Sequence, residues 1–76
     1  MTASADDRYF AELDQMNVPY AQRRRDLVIE DAHFYCNSLN GGTSYADLLA
    51  QQAHDMASIA KINAAIDVYC PQFKHP

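Results

Sequence analysis

Glycine, proline and basic residues are all scarce in this chain of 76 residues. It contains two glycines and three prolines, and no segment alternates apolar and polar residues over the length of a strand, so helices are favoured throughout. Six lysines and arginines against ten acidic residues give a formal charge of -4. This balance argues against nucleic acid as the main partner, because phosphate binding requires a net basic face. No apolar run approaches the ~20 residues of a membrane span, so no transmembrane segment is predicted in this chain.

The length allows one small domain near the lower limit at which a hydrophobic core suffices alone. Area scaling predicts that a chain of this size buries about 60% of its surface, and a covalent staple is therefore expected. We assign residues 6–73 to a single helical domain and residues 74–76 to a tail. Residues 1–5 are interpreted as the remnant of a signal peptide or an added start, since Ala3-Ser4-Ala5 resembles the A-x-A end of a secretory signal. The alternative is an ordinary capped helix start in a cytosolic protein.

Apolar periodicity predicts an all-α fold, a compact bundle of about four short helices. The first is expected over residues 4–17, capped by Ser4 and stopped by Pro19, and the second over residues 22–39, ended by the Gly41-Gly42 pair. The third helix begins at Thr43 or Ser44, and the fourth covers about residues 56–69. We expect a break between them near His54-Asp55; the alternative is one bent helix that joins the two. The side chains expected to face the core are Tyr9, Phe10, Leu13 and Met16; Val18 and Tyr20; Val28, Ile29, Ala32, Tyr35, Cys36 and Leu39; Tyr45, Leu48, Leu49, Gln52 and Ala53; and Ile59, Ile62, Ala65 or Ile66, and Tyr69.

The two cysteines, Cys36 and Cys70, both fall on apolar helix faces. A bond between them would close about half of the chain and contribute roughly 3.5–4 kcal/mol on chain-entropy arithmetic. That is a large share of the about 5 kcal/mol by which a small domain is stable. The alternative is a pair of reduced core cysteines, which behave as small hydrophobic residues.

Three segments together resemble a known family. They are residues 7–20, DRYFAELDQMNVPY; residues 36–42, CNSLNGG; and residues 64–71, AAIDVYCP. They are similar to the opening D-x-x-F-L-x-x-L-d-x-x-G-I-x-y, the central C-x-x-L-x-x-G and the closing A-x-x-x-Y-C-P of domain-of-unknown-function family 732, small exported proteins abundant in mycobacteria. The resemblance extends from Asp6 to Gln72. Asn17 stands where the family usually has glycine, and the link before the last helix lacks the usual proline or glycine.

Membership of that family would imply a signal peptide on the precursor, a small helical domain, a Cys36–Cys70 disulfide, and a secreted or cell-envelope location. The resemblance carries no established activity, and hence no catalytic residue. We therefore expect a binding module rather than an enzyme, with an unknown protein or envelope component as partner and no cofactor. Aromatic and arginine side chains are the usual interface anchors, so the candidate interaction surface is Tyr9, Tyr20, Arg23, Arg24 and Arg25.

Other chemistries have weaker support in the sequence. Tyrosine with histidine can ligate ferric iron, so a carrier of a small apolar or haem-like ligand between the helices is the alternative function. His33 and His75 near the two cysteines could bind zinc if the fold joined them, but the cysteines lack CxxC spacing. No serine lies in a G-x-S-x-G elbow. The arginine run indicates either contact with anionic head groups or an acidic partner, or merely a solvated helix start.

Overall fold

The computed structural model describes residues 3–74, and within them every regular element is helical. Four α-helices follow in order: α1 (Ala5–Gln15), α2 (Arg25–Asn40), α3 (Tyr45–Gln52) and α4 (Met56–Tyr69). A 3-10 turn, Gln22–Arg24, precedes α2, and a second, Pro71–Phe73, follows α4. The all-α prediction is confirmed, as is the break between the third and fourth helices. The proposed tail and start segments fall partly on residues 1, 2, 75 and 76, which lie outside the described residues.

Three of the four α-helices begin at a side-chain cap. Ser4, Ser44 and Asp55 each accept a hydrogen bond, at 2.8–3.1 Å, from the backbone N–H three residues further on. Each cap satisfies one N–H that the first turn of a helix would otherwise leave unpaired. The start of α2 differs from the prediction, because its first turn is the 3-10 helix Gln22–Arg24 and no side chain caps it.

The end of α1 is set by a left-handed residue and not by the proline. Asn17 has a φ of 56°. Its N–H donates to the Asp14 carbonyl at 3.1 Å, and the Val18 N–H donates to the Leu13 carbonyl at 2.9 Å. This pair of bonds is a Schellman motif, which ends a helix through its own geometry. The helix consequently ends before the residues next to Pro19, and the expectation that Pro19 stops it is wrong.

The glycine pair ends α2 in the same way, as predicted. Gly42 has a φ of 106°, a conformation that favours glycine. Its N–H donates to the Leu39 carbonyl at 3.1 Å, and the Thr43 N–H donates to the Ser38 carbonyl at 3.0 Å. The chain can therefore reverse and enter α3 within a few residues.

The core lies where α4 packs against both α1 and α2. Most of the predicted core faces are confirmed, with one exception at the end of α1. Met16 is 46% exposed, because it is the C-cap at which the chain leaves the helix. Tyr9 is 0% exposed, as its place among the expected core residues predicts, and its hydroxyl donates to the Lys61 carbonyl at 3.3 Å. The buried residues are Tyr9, Phe10, Leu13, Val18, Val28, Ala32, Tyr35, Cys36, Leu39, Leu48, Ile62, Ala64, Ala65, Ile66, Val68 and Cys70.

A disulfide joins the middle of the bundle to its C-terminal end. The Sγ atoms of Cys36, in α2, and Cys70, at the end of α4, are 2.11 Å apart, and the two residues are separated by 34 positions. Both cysteines are buried. The predicted pairing is confirmed, and neither thiol is left to bind a metal. None of the helices within residues 3–74 is long and apolar enough to cross a membrane.

Candidate binding groove

The starts of α1 and α2 enclose a surface groove of about 460 Å³, here called the α1–α2 groove. Helix α1 contributes two carboxylates from its first turn and an aromatic side chain one turn later. Helix α2 contributes an arginine, a carboxylate and an aliphatic side chain. The lining residues are Asp6, Asp7, Phe10, Arg25, Asp26 and Ile29.

The floor of the groove is aromatic. Phe10 is 5% exposed, and its ring centroid lies 4.9 Å from that of Tyr20. Tyr20 is held in turn by its hydroxyl, which donates to Asp14 Oδ1 at 2.8 Å. The guanidinium carbon of Arg25 lies 3.8 Å from the centroid of the Phe10 ring, which is a cation–π contact. Tyr20 and Arg25, from two other segments of the chain, thus both contact the Phe10 ring.

Two of the three carboxylates that line the groove accept hydrogen bonds from neighbouring side chains. Asp6 accepts a hydrogen bond from the Tyr69 hydroxyl, and burial, together with this bond and the charge of Asp6, raises the pKa of Tyr69. Asp26 accepts two hydrogen bonds from Arg24, at 3.2 and 3.3 Å. The hydrogen bond from the Arg24 guanidinium lowers the pKa of Asp26, so this group remains ionised. Asp7 is exposed.

The predicted interaction surface is only partly assembled. Tyr20 and Arg25 both contact the Phe10 ring, and Arg24 forms an ion pair with Asp26. Arg23 is exposed in the 3-10 turn. Tyr9 is buried and so presents no surface to a partner.

Sequence reasoning missed the acidic rim and the aliphatic wall of the groove. No motif or spacing in the sequence marks Asp6, Asp7 and Asp26 as parts of one site. Periodicity assigns each residue to a face of its own helix. It does not say that residues of α1 and α2 line one groove.

A second, uncharged groove of about 300 Å³ lies between the end of α1 and the start of α4. Its exposed apolar side chains are Met16, which is 46% exposed, and Met56, which is 79% exposed. The rest of its lining is Asn17, Val18, Pro19, Ala57 and Ala60. No charged side chain lines it, so it offers shape and apolar area without a fixed polar group.

A carboxyl pair lies outside both grooves, where α1 meets α4. Glu12 Oε2 is buried and has no hydrogen-bond partner. Burial, and after it the neighbouring carboxylate of Asp67, raise the pKa of Glu12 to about 7. Lys74 forms an ion pair with Asp67 at 2.5 Å, and its hydrogen bond lowers the pKa of Asp67. One proton near neutral pH is therefore held at the contact between the two helices.

Four of the five tyrosine hydroxyls are hydrogen-bonded within the protein. Tyr9 donates to a backbone carbonyl, and Tyr20, Tyr45 and Tyr69 donate to side-chain oxygens. These phenols are engaged as structural donors, which weakens the argument for tyrosine ligation of haem iron. In residues 3–74 no group of three or more histidine, cysteine, aspartate or glutamate side chains could hold a metal ion. His75 lies outside the described residues.

These features define a class of protein, a small disulfide-bonded four-helix domain with a charged, aromatic-floored surface groove. The family model described as "Protein of unknown function (DUF732)" matches residues 5–72, nearly the whole chain, and the protein belongs to this family. No curated protein and no solved structure matched the chain. Asn17, which departs from the glycine of the motif that the sequence resembles, has a φ of 56°, a conformation that favours glycine.

Proposed function

We propose that this protein is an exported, non-catalytic binding module that recognises a protein or another envelope component through the α1–α2 groove. The observation that carries the proposal is the composition of the groove. Phe10 and Ile29 supply apolar area, and Asp6, Asp7 and Arg25 supply charged groups beside it. Binding sites typically combine an apolar surface with a few placed polar groups that fix orientation.

The disulfide supports the exported location. Disulfides persist in oxidising compartments and are rare in the cytosol. The Cys36–Cys70 bond links two buried positions of the core, and a disulfide that closes a loop of this length is expected to stabilise a small domain. The precursor signal peptide that we infer agrees with the exported character of the family that the sequence resembles.

The groups that surround the groove favour binding over catalysis. A general acid or base works best with a pKa near the ambient pH. In the groove, the pKa of Asp26 is lowered by its hydrogen bond with Arg24, and Asp6 is bonded to Tyr69. Glu12, whose pKa is raised to about 7, lies at the α1–α4 contact and does not line the groove.

The proposal is tested with two charge reversals that differ only in location. Asp7 and Asp47 are both exposed, and the backbone N–H of each donates to the serine cap of its helix. Asp7 lines the groove and Asp47 lies in α3. The variants Asp7→Lys and Asp47→Lys therefore change the net charge and the first turn of a helix equally.

Retention of each variant by washed envelope from the producing organism is then measured by sedimentation, with stability checked by urea unfolding. We expect Asp7→Lys to lose most of the retention and Asp47→Lys to behave as the wild type. Equal retention of the two variants would refute binding at this groove.

A further inference from the structure

We infer that the α1–α2 groove receives a basic side chain, arginine or lysine, from a polypeptide partner, and that Arg25 occupies this place until the partner binds. The inference rests on the proposed function, because it names the chemistry of the partner at the same groove. Arg25 is the first residue of α2 and is exposed, yet its guanidinium lies on the Phe10 ring. The groove thus already contains one cation, the Arg25 guanidinium, in contact with an aromatic ring.

The charged residues that line the α1–α2 groove favour the binding of a cation. Three carboxylates line the groove, those of Asp6, Asp7 and Asp26, and Arg25 is the one cation among its lining residues. Arg24 binds both carboxylate oxygens of Asp26 from outside the lining. The lining therefore has two further carboxylates and one guanidinium, in a chain whose formal charge is -4. An acidic partner or an anionic head group would meet like charge at this rim, which disfavours association.

The Phe10 ring favours a basic side chain over a free inorganic cation. A guanidinium or an ammonium group gains from the face of an aromatic ring, and its aliphatic stem gains from neighbouring apolar surface. Phe10 supplies the ring and Ile29 an aliphatic wall. The volume of about 460 Å³ exceeds what one side chain fills, so a residue next to the basic one on the same partner segment can enter as well.

The position of Arg25 has a measurable consequence, because its guanidinium competes with the basic side chain of the partner for the Phe10 ring. The apparent affinity of a site falls in proportion to the fraction of time that the site is open. Removal of Arg25 should therefore strengthen the binding of a cation at the groove. From the strength of exposed cation–π contacts we expect about a 2- to 5-fold gain. If Arg25 were itself an interface anchor for an acidic partner, its removal would weaken binding.

The probe is an acetylated and amidated peptide, Gly-Ser-Arg-Leu-Arg-Ser-Gly, with a second peptide in which glutamate replaces both arginines. Each is titrated into the isotope-labelled protein, and amide shifts are followed by NMR. The variant is Arg25→Gln and the control is Arg23→Gln. The control removes the same charge from the same exposed run without removing the contact with Phe10. Non-specific attraction by net charge therefore cancels in the comparison.

We expect the arginine peptide to shift the amides of Asp7 and Ile29, and to bind Arg25→Gln about 2- to 5-fold more tightly than Arg23→Gln. Equal or weaker binding by Arg25→Gln, or a glutamate peptide that binds the groove better, would overturn the inference. The Asp7→Lys retention assay separates the two proposals. If that variant loses retention while the peptide result is negative, the groove binds a partner but not through a basic side chain. If both results are negative, the groove itself is not the binding site.

Discussion

The strongest quantitative prediction concerns the pH dependence of stability at Glu12. In the folded protein its pKa is raised from the ordinary value of 4.5 to about 7, because of burial and of Asp67 beside it. The folded state therefore holds a proton that the unfolded chain releases. The resulting stability is fully present below pH 4.5 and is lost as the pH rises through about 7.

The magnitude follows from the difference between the two pKa values. At about 1.36 kcal/mol for each pH unit, the difference corresponds to an upper limit of about 3 kcal/mol. Glu12 is partly exposed, so solvent screening reduces the expected loss between pH 5 and pH 8 to about 1–2 kcal/mol. Asp67 acts in the opposite direction and in a different window. Its pKa is lowered from 3.8 by the hydrogen bond with Lys74, so its stabilising contribution is lost only as the solution becomes strongly acidic.

The assay is urea unfolding of the wild type and of Glu12→Gln at pH 5 and pH 8. The wild type should lose about 1–2 kcal/mol across this range, and the variant should lose clearly less. The control is Glu30→Gln, which alters the other glutamate of the chain, exposed on α2, and should retain the wild-type slope. Groups that the wild type and the variants share contribute equally at each pH, so the difference between variants removes their contribution. A Glu12→Gln slope equal to that of the wild type would refute the role of the buried carboxyl.

Three further predictions concern the helix ends and the staple. Asn17→Gly should raise the free energy of unfolding by about 0.5–1 kcal/mol, because the residue has a φ of 56°; a loss of stability in thermal unfolding would contradict the Schellman ending. Asp55→Ala should cost about 1 kcal/mol by removing the cap of α4, and an unchanged urea midpoint would count against that cap. The double variant Cys36→Ser and Cys70→Ser should lose about 3.5–4 kcal/mol, and a midpoint equal to that of the oxidised wild type would show that the staple is dispensable.

The parts of the fold that depend on neighbours in sequence were predictable. The bounds of α4, Met56–Tyr69, follow from a capping aspartate at one end and a proline after the other. The glycine pair likewise marks the end of α2. The end of α1 was mispredicted because Pro19 is a conspicuous signal, whereas the left-handed conformation of Asn17 depends on backbone hydrogen bonds that a sequence does not display.

The candidate site was less predictable because it is made by packing between segments distant in sequence. Tyr9 has a polar hydroxyl, and its burial depends on the carbonyl of Lys61, which α4 brings to it. The arginine run looked like a cationic patch, but Arg24 binds Asp26 and Arg25 lies on Phe10. These two contacts depend on the backbone path from the 3-10 turn into α2. Apolar periodicity does not predict that path.

Site-specific photo-crosslinking is the most direct test of binding through the α1–α2 groove. A photoreactive amino acid is placed at Asp7, in the groove, or at Asp47, at the equivalent capped position of α3, and the protein is irradiated in its own organism. Our account predicts a discrete adduct from position 7 that position 47 does not give. The same adducts from both positions, or none from position 7, would contradict it.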